Sequence, residues 1–142
     1  MVTFEGRIKE LGELKLVGLR VISTGNEYLR DIQKTAKTLN IRMKDIQQIL
    51  HPENQIGAFI VEETCAKQDG YYVCVQVEDF HQVPKDMITL TIPSQRYAVL
   101  IHEGLNNQIK KSFEIIHIWI EDHGYKQLKN KWHLEWFTYE RG

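Results

Sequence analysis

Hydrophobic and polar positions along the chain alternate as in β-strands in some segments and recur at helical spacing in others. Each change from one pattern to the other predicts the start of a new element. Residues 14–22 (LKLVGLRVI) are rich in β-forming side chains and predict a strand. A helix with its end at Asn40 follows, because apolar residues recur there at helical spacing: Leu29, Ile32, Ala36 and Leu39. A short second helical segment up to Pro52 is predicted from Met43, Ile46 and Leu50.

Two further strands are predicted at 56–63 (IGAFIVEE) and 71–79 (YYVCVQVED). Between them lies a short polar segment that ends in Asp69-Gly70, a pair typical of tight turns. The pattern therefore predicts a β-hairpin.

The second half of the chain repeats this order. Strands are predicted at 87–92 and 96–103, and Asn106 or Asn107 is a candidate helix cap. The helix that follows has an apolar stripe of Ile109, Phe113, Ile116 and Ile120. Gly124 is expected to end it, and the last strand is predicted at 131–140. These elements predict an α+β fold in which one domain, 1–142, contains an internal repeat at about 12–80 and 86–140.

The last strand includes the sequence WHLEWF, which places an acid among aromatic residues. Strand alternation puts Trp132, Leu134 and Trp136 on one face, and His133, Glu135, Phe137 and Tyr139 on the other. We expect the tryptophan face to be core, packed under the second helix. We expect the other face to be an aromatic surface with one carboxylate, on the side that the helices leave uncovered.

Composition restricts the function classes. A chain of 142 residues with 42% hydrophobic and 26% charged residues is typical of one globular domain. The net charge of -1 gives no basic face for phosphates, so direct nucleic-acid binding is not expected. There is no long apolar run and no apolar segment typical of a signal peptide, which predicts a cytoplasmic protein without a membrane role. Cys65 and Cys74 are predicted to be reduced.

Several kinds of chemistry lack a motif. No two histidines have the spacing of helical zinc ligands, and there is no Cys-x-x-Cys pair. Glycine-rich nucleotide loops and the serine nucleophile motif of hydrolases are absent as well. We therefore expect neither a metal nor a cofactor.

Four segments, in order, resemble one family, the GyrI-like (gyrase-inhibitor-like) small-molecule-binding domain. Residues 83–104 (VPKDMITLTIPSQRYAVLIHEG) resemble its pattern of a P-x-x-M turn, then I-P, Y-A-V and H-x-G. Residues 118–137 resemble its helix end, with a tryptophan, a Gly-Tyr pair and a Leu-Glu-x-aromatic strand. The strands at 56–62 and 71–79 also match, so the resemblance extends over about 12–140.

The resemblance implies two β-α-β-β units related by a pseudo-twofold axis, with antiparallel sheets, helices on one face and a ligand cleft between the halves. In the family, this domain is the effector-binding half of multidrug-responsive transcription regulators, or stands alone. The family's buried pocket glutamate corresponds to Glu135. Some stand-alone relatives hydrolyse strained cyclopropane-containing compounds with that glutamate. The family's tyrosine two residues later is Phe137 here, and its tryptophan in the first helix is missing.

The favoured interpretation is a stand-alone module that binds small, apolar or cationic aromatic compounds, with any protein partner unidentified. The candidate ligand-binding residues are Glu135, Phe137, Tyr97, Tyr72, Tyr71, Phe59, Trp119 and Trp136, and for each aromatic residue core packing is the competing role. The alternative is a hydrolase in which Glu135 is the catalytic carboxylate. A third possibility, a topoisomerase inhibitor, follows only from the member that gives the family its name.

Overall fold

The computed structural model describes residues 7–21, 28–60, 70–99, 109–126, 128 and 131–138, and within these ranges it describes the side chains except at 28, 29, 99, 109–113, 137 and 138. This part of the chain contains seven strands and two α-helices. In chain order they are β1 (Arg7–Leu11), β2 (Leu14–Val21), α1 (Tyr28–Arg42), β3 (Asn54–Ile60), β4 (Tyr71–Val77), β5 (Ile88–Ile92), β6 (Gln95–Val99), α2 (Ile109–Asp122) and β7 (Trp132–Thr138). All of the strand pairings are antiparallel, so the predicted α+β class is confirmed.

The chain divides into two compact units, each made from separate stretches of sequence. The first unit is Met1–Gly12 with Ser94–Leu128. In it β1 pairs with β6, from Arg7 opposite Val99 to Leu11 opposite Gln95, and α2 packs on β6. We did not predict β1, because its sequence, RIKEL, has three charged residues in five and no clear apolar alternation.

The second unit is Glu13–Pro93 with Lys129–Gly142. It holds a five-stranded sheet in the order β5-β2-β4-β3-β7. The predicted pairing of β3 with β4 is confirmed, although the turn at 61–69 lies outside the described residues. The sheet combines strands from both predicted repeat segments, and the pseudo-twofold relation between those segments stays a prediction.

Helix α1 covers one face of this sheet by packing over β2 and β4. The apolar side chains that meet there are Val17, Val21, Leu39, Met43, Ile46, Tyr71, Val73, Val75 and Val77. Glu135 belongs to this same face, because Gly57 is the register partner of both Val73 and Glu135. The expectation that helices leave the glutamate face uncovered is therefore wrong for α1. Alternation within one strand separates two faces but does not say which one a helix covers.

The other face is also buried, at Leu16, Ile56, Ala58, Tyr72, Cys74 and Ile92. Trp132 is 7% exposed and meets the ring of Tyr72 edge-on, at 6.0 Å between centroids. Trp136, in contrast, is 45% exposed, so its predicted role as a core residue is wrong. The expected contacts of this face with Ile109 and Phe113 fall on side chains outside the described residues.

The element ends differ from prediction by a few residues. Helix α1 continues to Arg42 and passes into a short 3-10 helix, Met43–Asp45. The second helical segment predicted up to Pro52 stops there, and Leu50 is exposed rather than core. Gly124 ends α2 as predicted, with a φ of 75° that favours glycine. None of the described helices is both long and apolar enough to cross a membrane.

Candidate functional site

The candidate site is centred on Glu135, in the middle of β7. The hydroxyl of Tyr71 donates a hydrogen bond to Oε1 of this carboxylate at 2.7 Å. Burial raises the pKa of Glu135, and the bond from Tyr71 offsets this effect in part. The balance leaves the pKa of the carboxyl above its ordinary value, which is typical of an acid held in a site rather than on an open surface.

Three aromatic rings lie in a row beside the carboxylate: Tyr71, Phe59 and His133. We call these three residues the aromatic row. The ring of Phe59 stacks on Tyr71 at 5.8 Å and on His133 at 5.3 Å, with interplanar angles of 19° and 17°. Strand register explains this arrangement, since Phe59 and His133 are direct cross-strand partners on the face that carries Glu135. Cross-strand aromatic pairs of this kind stabilise a sheet and fix the orientation of their rings.

Helix α1 borders the site at β3. Gln55, two residues before Gly57, lies on the glutamate face, and its Nε2 donates to the carbonyl of Ala36 at 3.0 Å. Gln55 is a buried polar residue whose amide therefore has a partner in α1. This hydrogen bond holds α1 against β3, the strand that lies between Tyr71 and Glu135.

The carboxylate of Glu135 has one hydrogen-bond donor and no positive partner among the residues that the structure describes. Within the described ranges, no basic side chain makes an ion pair with it, and Tyr71 alone donates to it. The side chain of Glu135 is partly buried. A carboxylate that is partly withdrawn from water without a cation is destabilised, and this cost falls when a positive group approaches or when a proton binds. The arrangement can thus hold a cation against aromatic faces, or transfer a proton.

The other predicted site residues fall into three groups. Tyr72 and Trp136 lie on the opposite face of the sheet from Glu135, as strand alternation requires. The side chain of Phe137 lies outside the described residues. Tyr97 and Trp119 belong to the first compact unit. The structure therefore brings Glu135, Tyr71 and Phe59 together.

In the first unit, Trp119 stacks on His123 at 4.2 Å and on Tyr125 at 6.2 Å, and the guanidinium of Arg96 lies 5.8 Å from the ring centre of Tyr125. The hydroxyl of Tyr97 is buried and has no hydrogen-bond partner in the described part of the chain. Burial raises the pKa of this phenol. Its ligand-binding role stays a prediction.

His133 was not predicted as a site residue, although the sequence carries a signal for it. Strand parity already placed His133 on the face of Glu135, and the pairing of the last strand with β3 would have put it opposite Phe59. Among the described residues, no three acidic, histidine or cysteine side chains are grouped so as to hold a metal ion.

The sequence of the chain is similar to one protein family and to part of one transcriptional regulator. The family model "Cass2: Integron-associated effector binding protein" matches residues 7–141. The transcriptional regulator BrlR of Pseudomonas aeruginosa is 35% identical over 57 residues, which covers 37% of this chain and only 21% of the regulator. Its full activity therefore includes regions that this chain does not match.

Solved structures show the same fold at low identity. SAV2435 bound to tetraphenylphosphonium gives a TM-score of 0.71 at 18% identity, covering 97% of this chain and 84% of that one. EcmrR in its DNA complex gives 0.65 at 17% identity, covering 95% of this chain and 57% of that one. The family match spans nearly the whole chain, and the fold agrees with it. The chain accordingly belongs to the integron-associated effector binding proteins, which are GyrI-like effector-binding domains related to the ligand-binding parts of transcription regulators.

Proposed function

We propose that the chain binds a small aromatic cation, and that Glu135 is the group that balances its charge. The observation that supports this proposal is the partly buried carboxylate of Glu135, which accepts one hydrogen bond and has no basic partner in the described ranges. The family supplies the effector-binding role. One structural relative, SAV2435, was solved with tetraphenylphosphonium, which belongs to this chemical class.

Charge and ring faces act together in such a site. A cation about 5 Å from the carboxylate gains about 3 kcal/mol at an effective dielectric constant of about 20, before desolvation is subtracted. Each ring face that the cation contacts adds about 0.5–2 kcal/mol, and the rings of the aromatic row lie beside Glu135. The net charge contribution after desolvation is expected to be about 1–2 kcal/mol, or about five- to thirtyfold in Kd.

Two ions of the same shape and opposite charge test the proposal. Tetraphenylphosphonium is titrated beside tetraphenylborate by calorimetry, with wild type, Glu135→Gln and Glu78→Gln. Glu78 is an exposed acid of the same unit and serves as the matched control. We expect wild type and Glu78→Gln to bind only the phosphonium, and Glu135→Gln to bind it about five- to thirtyfold more weakly. Equal affinity of all three proteins for the cation would remove Glu135 from the proposal.

A hydrolase is the second candidate, and one contact favours it. The phenol that the family carries two residues after the glutamate is missing at Phe137, but the Tyr71 hydroxyl lies 2.7 Å from Oε1 of Glu135. An acid with a raised pKa beside a phenol can take part in proton transfer. A hydrolysis assay on cyclopropane-containing compounds separates the candidates. Turnover by wild type that is lost in both Glu135→Gln and Tyr71→Phe would establish the enzyme and displace the simple binder.

A further inference from the structure

Tyr71 and Glu135 are not on neighbouring strands, and their hydrogen bond must cross the strand between them. Tyr71 is on β4 and Glu135 on β7, with β3 in the middle. Adjacent strands lie about 4.8 Å apart, so these two backbones are about 10 Å apart. A 2.7 Å bond between the side chains is possible because the tyrosine ring lies across β3.

Gly57 is the residue of β3 that the tyrosine ring crosses. A Cβ atom at this position would be 1.7 Å from Oη of Tyr71 and 2.4 Å from its Cζ. Gly57 is also the direct register partner of Glu135. Phe59, two residues further along the same face, stacks on the side of the Tyr71 ring. The Tyr71 ring therefore passes over the backbone at Gly57 and packs against the ring of Phe59.

The backbone gives no reason for a glycine at this place. Two other described glycines, at positions 70 and 124, have positive φ values, whereas Gly57 lies in regular strand pairing on both sides. Glycine inside a strand costs about 0.5–1 kcal/mol relative to alanine. What the position requires is the open space above it, which Tyr71 fills.

We propose that Gly57 is the positioning residue of the site: the absence of a side chain lets Tyr71 reach across β3 and set the protonation and orientation of Glu135. This inference rests on the proposed binding of a cation only for its functional consequence. Among the described residues, the titratable side chains on this face that contact the aromatic row or Glu135 include Tyr71 from β4 and His133 from β7. Of these, Tyr71 makes the hydrogen bond that lowers the pKa of the carboxyl.

The first test is made on ligand-free protein. The pKa of Glu135 is followed by carboxyl ¹³C NMR in wild type, Gly57→Ala and Gly12→Ala. Gly12 is the matched control, because a Cβ there would meet nothing within 4 Å. We expect Gly57→Ala to shift the pKa of Glu135 upward, and Gly12→Ala to leave it unchanged. In a Tyr71→Phe background, Gly57→Ala should add no further shift, which a purely structural role would not explain. An unchanged pKa in folded Gly57→Ala would overturn the proposal.

A second pair of variants covers the case in which Gly57→Ala does not fold. Tyr71→Ala removes the ring that the new methyl group would meet, so the double variant Gly57→Ala with Tyr71→Ala should fold as well as Tyr71→Ala alone. If the double variant is markedly less stable than Tyr71→Ala, the added methyl group clashes with something other than Tyr71 and the proposal is wrong.

The phosphonium titration then tests the consequence. The pH midpoint of tetraphenylphosphonium binding should rise in Gly57→Ala along with the pKa of Glu135. If wild type does not bind the cation, the proposed function fails, while the ligand-free titration still decides the role of Gly57.

Discussion

Truncating the two tryptophans of β7 in turn should give very different losses of stability. Trp132 is 7% exposed and packs edge-on against Tyr72, whereas Trp136 is 45% exposed. Removal of a buried aromatic side chain costs about 3–5 kcal/mol, because the apolar contacts are lost and a cavity remains. Trp136 leaves a large part of its ring in water in the native protein, so Trp136→Ala should cost only about 1–2 kcal/mol, since hydrophobic stabilisation scales with the area buried.

The assay is urea unfolding followed by far-UV circular dichroism, with thermal melting as a second measurement. For a chain of this size, about 1 kcal/mol corresponds to about 2–4 °C in Tm. Trp132→Ala is thus expected to lower Tm by about 6–20 °C, and Trp136→Ala by about 2–8 °C. Because the chain forms two compact units, coincidence of the transitions from two probes is checked first. Equal losses in the two variants, or the larger loss in Trp136→Ala, would refute the assigned packing of β7.

Two further outcomes concern ionisable groups. The folded pKa of Glu135 is raised above its unfolded value, so the folded protein binds this proton more tightly, and ligand-free stability should fall as pH rises from the unfolded to the folded pKa. Affinity for the phosphonium should rise over the same pH range, and Glu135→Gln should flatten the pH dependence of both stability and affinity. Urea unfolding midpoints measure the first dependence, and phosphonium titrations at several pH values measure the second. A pH dependence that is the same in Glu135→Gln as in wild type would contradict the assignment. The thiol of Cys74 is free and fully buried, and burial raises its pKa, so its reaction with a thiol reagent should follow unfolding of the protein. Rapid labelling at position 74 in native protein, located by mass spectrometry, would show that this face of the sheet opens.

Strand alternation and helical spacing were sufficient to predict most of the elements. The helix stripe with Leu39 and the paired strands around Cys74 are strong periodic signals, and both elements form. Periodicity could not predict β1, since its partner is β6 and pairing between distant strands depends on tertiary contacts. The same limit explains the error at Trp136, because the exposure of a side chain on an edge strand such as β7 depends on which other elements cover it.

The site was predictable in part, for a related reason. Glu135 stood out because an acid between tryptophans is unusual, and the family resemblance supported it. Tyr71 and Tyr72 were equivalent candidates in the sequence, and only the strand register puts Tyr71 on the face of the carboxylate. The role of Gly57 was not visible at all, because it depends on a side chain that crosses from another strand.

The order of strands in the second unit has a consequence for how the site assembles. Strand β7 occupies one end of the sheet and pairs with β3, although a long stretch of chain separates these two strands. Closing such a loop has an entropic cost that only long-range pairing repays, so docking of β7 is expected late in folding. Until then, Gly57 and Phe59 form an incomplete half of the site with no carboxylate. A ligand held by Glu135 can bind only when β7 is paired with β3, so bound ligand must slow the opening of this strand. Amide hydrogen exchange along β7 should therefore report directly whether the site is occupied by ligand.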